Sequence, residues 1–151
     1  MSDTEQSPLV HAVRIRPADT DYQGIVHSSK YAQFFESAFL EVARTVDGSL
    51  DFLTSTGVFL VMAETTIRYL SSARFDDLLE VAVWLRHIGT TSVIMSYESR
   101  VDGRHVVLGT ARYVAFTQSD FVKAPVPDKL REVLERIPKE PAELAQKWAG
   151  R

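Results

Sequence analysis

The chain of 151 residues carries a net charge of −3, no cysteine, 45% hydrophobic and 25% charged side chains, the proportions of an ordinary globular domain rather than a disordered or membrane-spanning chain. That length is most simply one domain, able to bury roughly two-thirds of the surface its unfolded form exposes without a disulfide or metal staple. Lys and Arg are scattered over an acidic total, which leaves no basic field for nucleic acid, and the lack of cysteine excludes disulfides, thiolate metal sites and a thiol nucleophile together.

The opening "MSDTEQSPLV" is acidic and polar, without the positive start and apolar core of a secretory signal. It reads as a short disordered lead-in, and with the absence of cysteine it fits a cytoplasmic protein. Residues 10–16 alternate loosely and stop at Pro17, as a first strand should. From Tyr31 the apolar positions Phe34, Phe35, Ala38, Phe39, Val42 and Val46 repeat at helical spacing, with Gln33, Glu36, Glu41 and Arg44 between them. This predicts a long helix with one buried face, Ser28 or Ser29 at its N-cap and Asp47-Gly48 at its end. Residues 49–57 form a short irregular or helical connector.

Four strands are then expected. Residues 59–70 set Val61, Ala63, Ile67 and Tyr69 against Glu64, Thr66 and Arg68, and residues 77–87 set Leu79, Val81, Val83 and Leu85 against Glu80, Trp84 and Arg86, so each should bury one face. Residues 92–101 and 105–117 flank Asp102-Gly103, the strongest short-range hairpin signal. A charged amphipathic helix over 128–137 and a terminal helix over 141–151, started by Pro141, complete the chain. The order predicts an α+β fold in which a single antiparallel five-stranded sheet wraps a long central helix, with a C-terminal helical tail. The outer sheet face would carry Trp84, Ile94 and Leu60, and together with the sheet edges it would favour dimerisation.

The chemistry-bearing residues cluster ahead of the helix, in "RPADTDYQGIVHSSKYAQFFESA", residues 16–38. A helix N-terminus offers unpaired N–H groups and partial positive charge, suited to a carbonyl oxygen that becomes an oxyanion in acyl transfer. A nearby carboxylate could attack that carbonyl or activate water, without cysteine, serine triad or metal. Acids ahead of helices more often cap or pair with the dipole, but Asp21 precedes Ser28 by seven residues, too far to be the cap. Asp19, two residues after Pro17, suits a hydrogen bond to its own loop, and Gly24 permits a positive φ. His27 adjoins the cap as a loop residue, with a general acid or pocket donor as the functional reading. Glu36 and Glu64 are candidate second acids whose plainer role is a solvated or paired face. His11, His87 and His105 show no metal-ligand spacing, and Arg74 beside Asp76 and Asp77 reads as a polar turn. No glycine-rich phosphate loop and no G-x-S-x-G elbow is present.

The same segment resembles the signature of hotdog-fold acyl-CoA thioesterases of the 4-hydroxybenzoyl-CoA thioesterase type, including their relatives associated with the bacterial Tol-Pal system. That signature reads D-x-D-x-x-G-x-V, a short loop, an aromatic residue opening the helix, and an acid within the helix. Here it is supplied by Asp19, Asp21, Gly24, Val26, Tyr31 and Glu36, and the likeness extends over about residues 11–122. The resemblance implies one hotdog domain, with a core over residues 10–122 and a helical tail over 128–151. It also implies a homodimer or homotetramer with active sites at the subunit interface, and hydrolysis of acyl-CoA with no cofactor or metal. Asp21 would be the catalytic nucleophile or general base, the backbone N–H groups near Ser28 and His27 the oxyanion donors, and Tyr22, Gly24, Val26 and Tyr31 the residues around the substrate. Two departures stand out: Tyr22-Gln23 replaces a small pair after the catalytic aspartate, and "RHIGTTS" has few basic residues for the phosphates of CoA. The alternatives are therefore an acyl-ACP thioesterase, a hydratase or dehydratase of the same fold using Asp21 with His27, and a non-catalytic acyl-CoA-binding protein.

Overall fold

The computed structural model describes residues 7–149; most of the expected lead-in and the last two residues of the expected terminal helix lie outside them. Five strands, β1 (Leu9–Arg14), β2 (Val58–Tyr69), β3 (Leu78–Ile88), β4 (Ser92–Val101) and β5 (Arg104–Thr117), form one antiparallel sheet in the order β1-β3-β4-β5-β2. The sheet curls round α1 (Lys30–Asp47), while α2 (Asp128–Glu135) and α3 (Ala142–Ala149) follow it in the chain. This is the α+β hotdog arrangement expected from the residue pattern. No helix among the described residues is long and apolar enough to cross a membrane.

The apolar stripe of α1 faces inward as its spacing requires: Tyr31, Phe34, Phe35, Ala38, Phe39, Val42 and Ala43 are all buried. Each large side chain so placed contributes roughly 1.5–3 kcal/mol. The closest approach is at Gly109 on β5, over which the Phe35 ring lies; a Cβ there would sit 2.1 Å from that ring. Phe35 also stacks on Tyr97 of β4, with centroids 4.7 Å apart and planes 7° from parallel. The hairpin at Asp102-Gly103 forms as expected, with φ of 49° and 79° at its two turn residues.

Two expectations need correction. Residues 59–70 do not bury one face in simple alternation, because β2 is an edge strand paired only with β5 and carries a bulge between Met62 and Glu64. The extra residue re-phases the strand. Leu60 and Met62 before it, and Thr65 and Ile67 after it, meet the helix side, so Val61 does not share a face with Ile67. Leu60 accordingly packs against the main core rather than on the outer face.

The outer sheet face is also not open around Trp84. The tail folds back over it: Leu144 of α3 packs with Trp84 and Leu108, all three buried, and Trp148 joins them. Charge holds the tail in place. Arg86 grips Glu140 through two bonds of 2.7 Å, Arg68 donates to the Lys147 carbonyl at 2.7 Å, and both guanidinium groups lie within 6 Å of the Trp148 ring, at 4.9 Å for Arg68 and 5.7 Å for Arg86. Beneath α3, buried Glu98 receives Arg100, His105 and Lys147 on a single carboxylate oxygen. Burial pushes the Glu98 carboxyl up, but hydrogen bonds from Arg100 and His105 outweigh it and hold the group below the ordinary glutamate range.

Gly109→Ala should therefore lower stability by roughly 1–3 kcal/mol by forcing Phe35 off its seat, read as a lower denaturant midpoint at unchanged slope. Glu98 has a depressed carboxyl in the folded state, so its stabilisation is complete above the ordinary glutamate value and is lost as pH falls from there through the depressed one. Melting temperature followed from pH 7 to pH 3 should show a steeper acid limb for the parent than for Glu98→Gln, which is less stable than the parent at pH 7.

Candidate active site

The segment between β1 and α1 is stitched to the connection between β2 and β3. Ile15 exchanges backbone bonds with Asp77 and Asp76, Ile25 bridges to Arg74, and the Val26 N–H donates to the Ala73 carbonyl at 2.9 Å. Within it, Thr20 bridges to Val26 and the Asp21 N–H donates to the Ile25 carbonyl at 2.9 Å. The Gly24 N–H returns to the Asp21 carbonyl at 3.0 Å with φ of 77° at Gly24, a conformation that a side chain would strain. The result is a small pinned hairpin with Tyr22-Gln23 at its tip.

The two aspartates serve this loop differently. Asp19 accepts the Arg16 N–H at 2.8 Å and lies 3.9 Å from the Lys30 ammonium, the structural role expected of it. Asp21 is half-buried and accepts the Gln23 N–H on Oδ1 at 2.8 Å; its Oδ2 has no partner among the described residues. One oxygen orients the carboxylate and the other is left available.

The expected cap is also rearranged. Ser29 occupies the N-cap position, but its backbone is already helical and its hydroxyl makes no cap bond. The His27 ring holds the N-cap residue instead, with Nδ1 accepting the Ser29 N–H at 3.1 Å and the Ser29 hydroxyl 2.8 Å away. The His27 N–H, expected as an oxyanion donor, donates to the Asp19 carbonyl at 2.9 Å and so is engaged within the loop. Val26, His27, Ser29 and Lys30 all commit their amides, and Ser28 alone in that run has no acceptor among the described residues. The Tyr69 hydroxyl of β2, 3.1 Å from the Ser28 carbonyl, closes the mouth of the helix. Sequence patterning placed Tyr69 on an alternating strand and gave no signal for this contact.

The residues expected around a substrate separate. Tyr22 stands almost wholly in solvent at 96% exposure, and Gly24 is exposed at the loop tip. Val26 and Tyr31 are buried in the core instead of lining a surface, and Tyr31 meets Tyr69 edge-on at 5.8 Å. Burial pushes the Tyr31 hydroxyl up, opposed by the Ala73 backbone.

An apolar cavity of about 310 Å³ opens between the first turns of α1 and the edge of the sheet, lined by Ala32, Gln33, Glu36, Leu60, Met62 and Tyr113 among others. Glu36 is therefore a wall residue of this cavity, whereas Glu64 is exposed on β2 and absent from its lining. Tyr97 and Tyr113 form the back of the cavity, and burial pushes both hydroxyls up, keeping them neutral. A second cavity of about 380 Å³ lies on the outer face under α3, on the opposite side of the sheet from α1. His11 and His87 sit on β1 and β3, His105 belongs to the Glu98 cluster, and the described residues contain no group of three or more His, Asp or Glu able to hold a metal ion.

Residues 23–108 match the sequence profile of the Thioesterase superfamily. An acyl-CoA thioester hydrolase, YbgC, of Escherichia coli is 32% identical over 84 residues, which cover 56% of this chain and 63% of the relative, so the match spans less than two-thirds of that protein. A 1,4-dihydroxy-2-naphthoyl-CoA hydrolase of Thermosynechococcus vestitus is 23% identical over 125 residues, 82% of this chain and 86% of the relative. Among solved structures, a thioesterase superfamily protein from Jannaschia sp. CCS1 superposes with a TM-score of 0.81 at 22% identity, covering 93% of this chain and 99% of the other, a likeness of fold.

Proposed function

The chain belongs to the thioesterase superfamily, and on that premise we propose that it hydrolyses acyl-CoA thioesters to a free acid and CoA, with Asp21 as nucleophile or general base and the Ser28 N–H as oxyanion donor. The observation that carries this reading is the pairing, on one pinned segment, of a carboxylate oxygen and a helix-mouth amide that each have no partner among the described residues. In the water route, water adds to the thioester carbon and Asp21 Oδ2 takes its proton. The oxygen that gains charge rests on the Ser28 amide, and collapse breaks the C–S bond as Asp21 returns the proton to the departing thiolate. In the nucleophilic route Asp21 itself forms the new C–O bond, giving a mixed anhydride that water then cleaves; both end in the same products.

The cavity beside α1 is the proposed acyl chamber, since it begins one helical turn from Ser28 and has mostly apolar walls. The acyl-CoA activities for which the YbgC and 1,4-dihydroxy-2-naphthoyl-CoA relatives are named favour CoA over an acyl carrier protein as thiol carrier. The hydratase alternative needed Asp21 and His27 to work as a pair, and the engagement of the His27 ring by Ser29 speaks against it. We propose in addition a homodimer joined along β2, which the same geometry supports. That strand is paired on one side only, exposes Phe59, Met62 and Tyr69, and forms one wall of the cavity, so a second copy would close the chamber.

Asp21→Asn keeps the Oδ1 acceptor for Gln23 and removes the base. It should retain the parent melting temperature and lower kcat/KM by a factor on the order of 100–10,000, followed as free thiol released from a panel of acyl-CoAs. Release at the parent rate would end the assignment of Asp21. Ligand-induced thermal stabilisation by the panel with no thiol release from the parent protein would point to a binding protein instead.

A further inference from the structure

We infer that the side chain of His27 is a positioning residue for the proposed hydrolysis: its ring holds the Ser29 amide and thereby fixes the neighbouring Ser28 amide, which has no acceptor among the described residues. The inference rests on Ser28 as the oxyanion donor. It adds a role for an imidazole that the reaction itself leaves unused.

The reasoning is an account of backbone donors. A helix leaves its first four N–H groups without intrahelical partners, and any of them could in principle turn toward a ligand. Here the neighbours of Ser28 are each tied. Val26 donates to Ala73, His27 to Asp19, Lys30 to the His27 carbonyl at 2.9 Å, and Ser29 to the His27 ring. The residue two positions after His27 is the one its ring caps, the i to i+2 geometry by which an Asn or Asp side chain holds a turn. Because a backbone N–H can only donate, Nδ1 must be an acceptor, which places the proton of the neutral ring on Nε2.

Two peptide units feel this cap. In the unit joining His27 to Ser28, the carbonyl accepts from Lys30 while the N–H is free; a carbonyl that accepts a bond makes the N–H of the same peptide a stronger donor. In the unit joining Ser28 to Ser29, the N–H goes to the His27 ring and the carbonyl receives the Tyr69 hydroxyl at 3.1 Å. The second unit is thus held at both ends, and it anchors the first. Without the ring, Ser29 would need another acceptor and the second unit would be free to tilt, moving the Ser28 N–H off the line to the developing oxyanion. The Ser29 backbone is already helical, and its hydroxyl makes no cap bond and lies against the ring.

The test is a pair of substitutions and one spectrum. His27→Ala removes the acceptor and should lower kcat for acyl-CoA hydrolysis by about tenfold to a hundredfold, less than the cost of losing an oxyanion donor outright, with KM changed less than twofold. His27→Asn restores an acceptor at the same i to i+2 spacing, without an ionisable ring, and should recover most of that loss. An alanine variant with parent kcat, or an asparagine variant as slow as alanine, would overturn the assignment. Independently of turnover, 15N spectra of the ring in the substrate-free protein at pH 8 should show the proton on Nε2 with Nδ1 as acceptor; the opposite tautomer would also overturn it. If the parent released no thiol from any acyl-CoA, the hydrolase reading would fail while the ring spectrum still decided the cap.

Discussion

The whole arrangement depends on how closely α1 can approach the concave face of the sheet. That distance is set where the Phe35 ring lies over Gly109 and against Tyr97, with Phe39 stacked on Tyr113 one turn further on, 5.5 Å between centroids. A sheet can follow a cylinder this narrow only if its strands bend, and β2, β3 and β5 each carry an extra residue at a break in register that supplies the bend. Seating the helix at that depth puts its first turn level with the β2–β3 connection, where Ala73 and Arg74 receive the segment carrying Asp21. Packing in the core therefore decides where the helix mouth stands.

The opposite face follows a different logic. Its apolar centre at Trp84 and Leu108 is sealed by the chain's own α3, and a ring of charge around that seal fixes the helix in one orientation. Arg68 is the link between the two halves of the fold. It projects from β2 to the last carbonyls of α3, the negative end of that helix, so the edge strand and the tail are held to each other. With this face occupied, the two edges of the sheet, β1 and β2, are left unpaired on one side, and β2 is the one that exposes Met62, Phe59 and Tyr69.

Much of this was legible in the sequence, for reasons that differ by element. The stripe from Tyr31 to Val46 is long enough for a 3.6-residue period to be unambiguous, and Asp102-Gly103 names its own turn. The Asp19/Asp21 pattern pointed to the loop before its geometry was known. What escaped has a common cause: each depends on a partner far away in the chain. A bulge in β2 leaves no composition signal, yet one extra residue exchanges the faces of Leu60 and Val61. The burial of Trp84 depends on Leu144, some sixty residues later. The bond from the His27 ring to the Ser29 amide sits beside a longer-range one, from the His27 amide to the Asp19 carbonyl, and neither leaves a mark in the sequence pattern.

On the proposed reading, this division of labour would also separate chemistry from selectivity. Asp21 and Ser28 lie on one short segment whose course is set by its own backbone bonds and by Ala73, so their mutual placement does not depend on the far walls of the cavity. Those walls come from elsewhere: Leu60, Met62 and Thr65 from the edge strand, Tyr97 and Tyr113 from the neighbouring strands. Side chains of β2 can change the size or polarity of the chamber while the loop bonds stay as they are. Tyr69 is the exception, because it stands on β2 and holds the Ser28 carbonyl. It is the one point at which a shift of the edge strand would be felt directly by the helix-mouth amide.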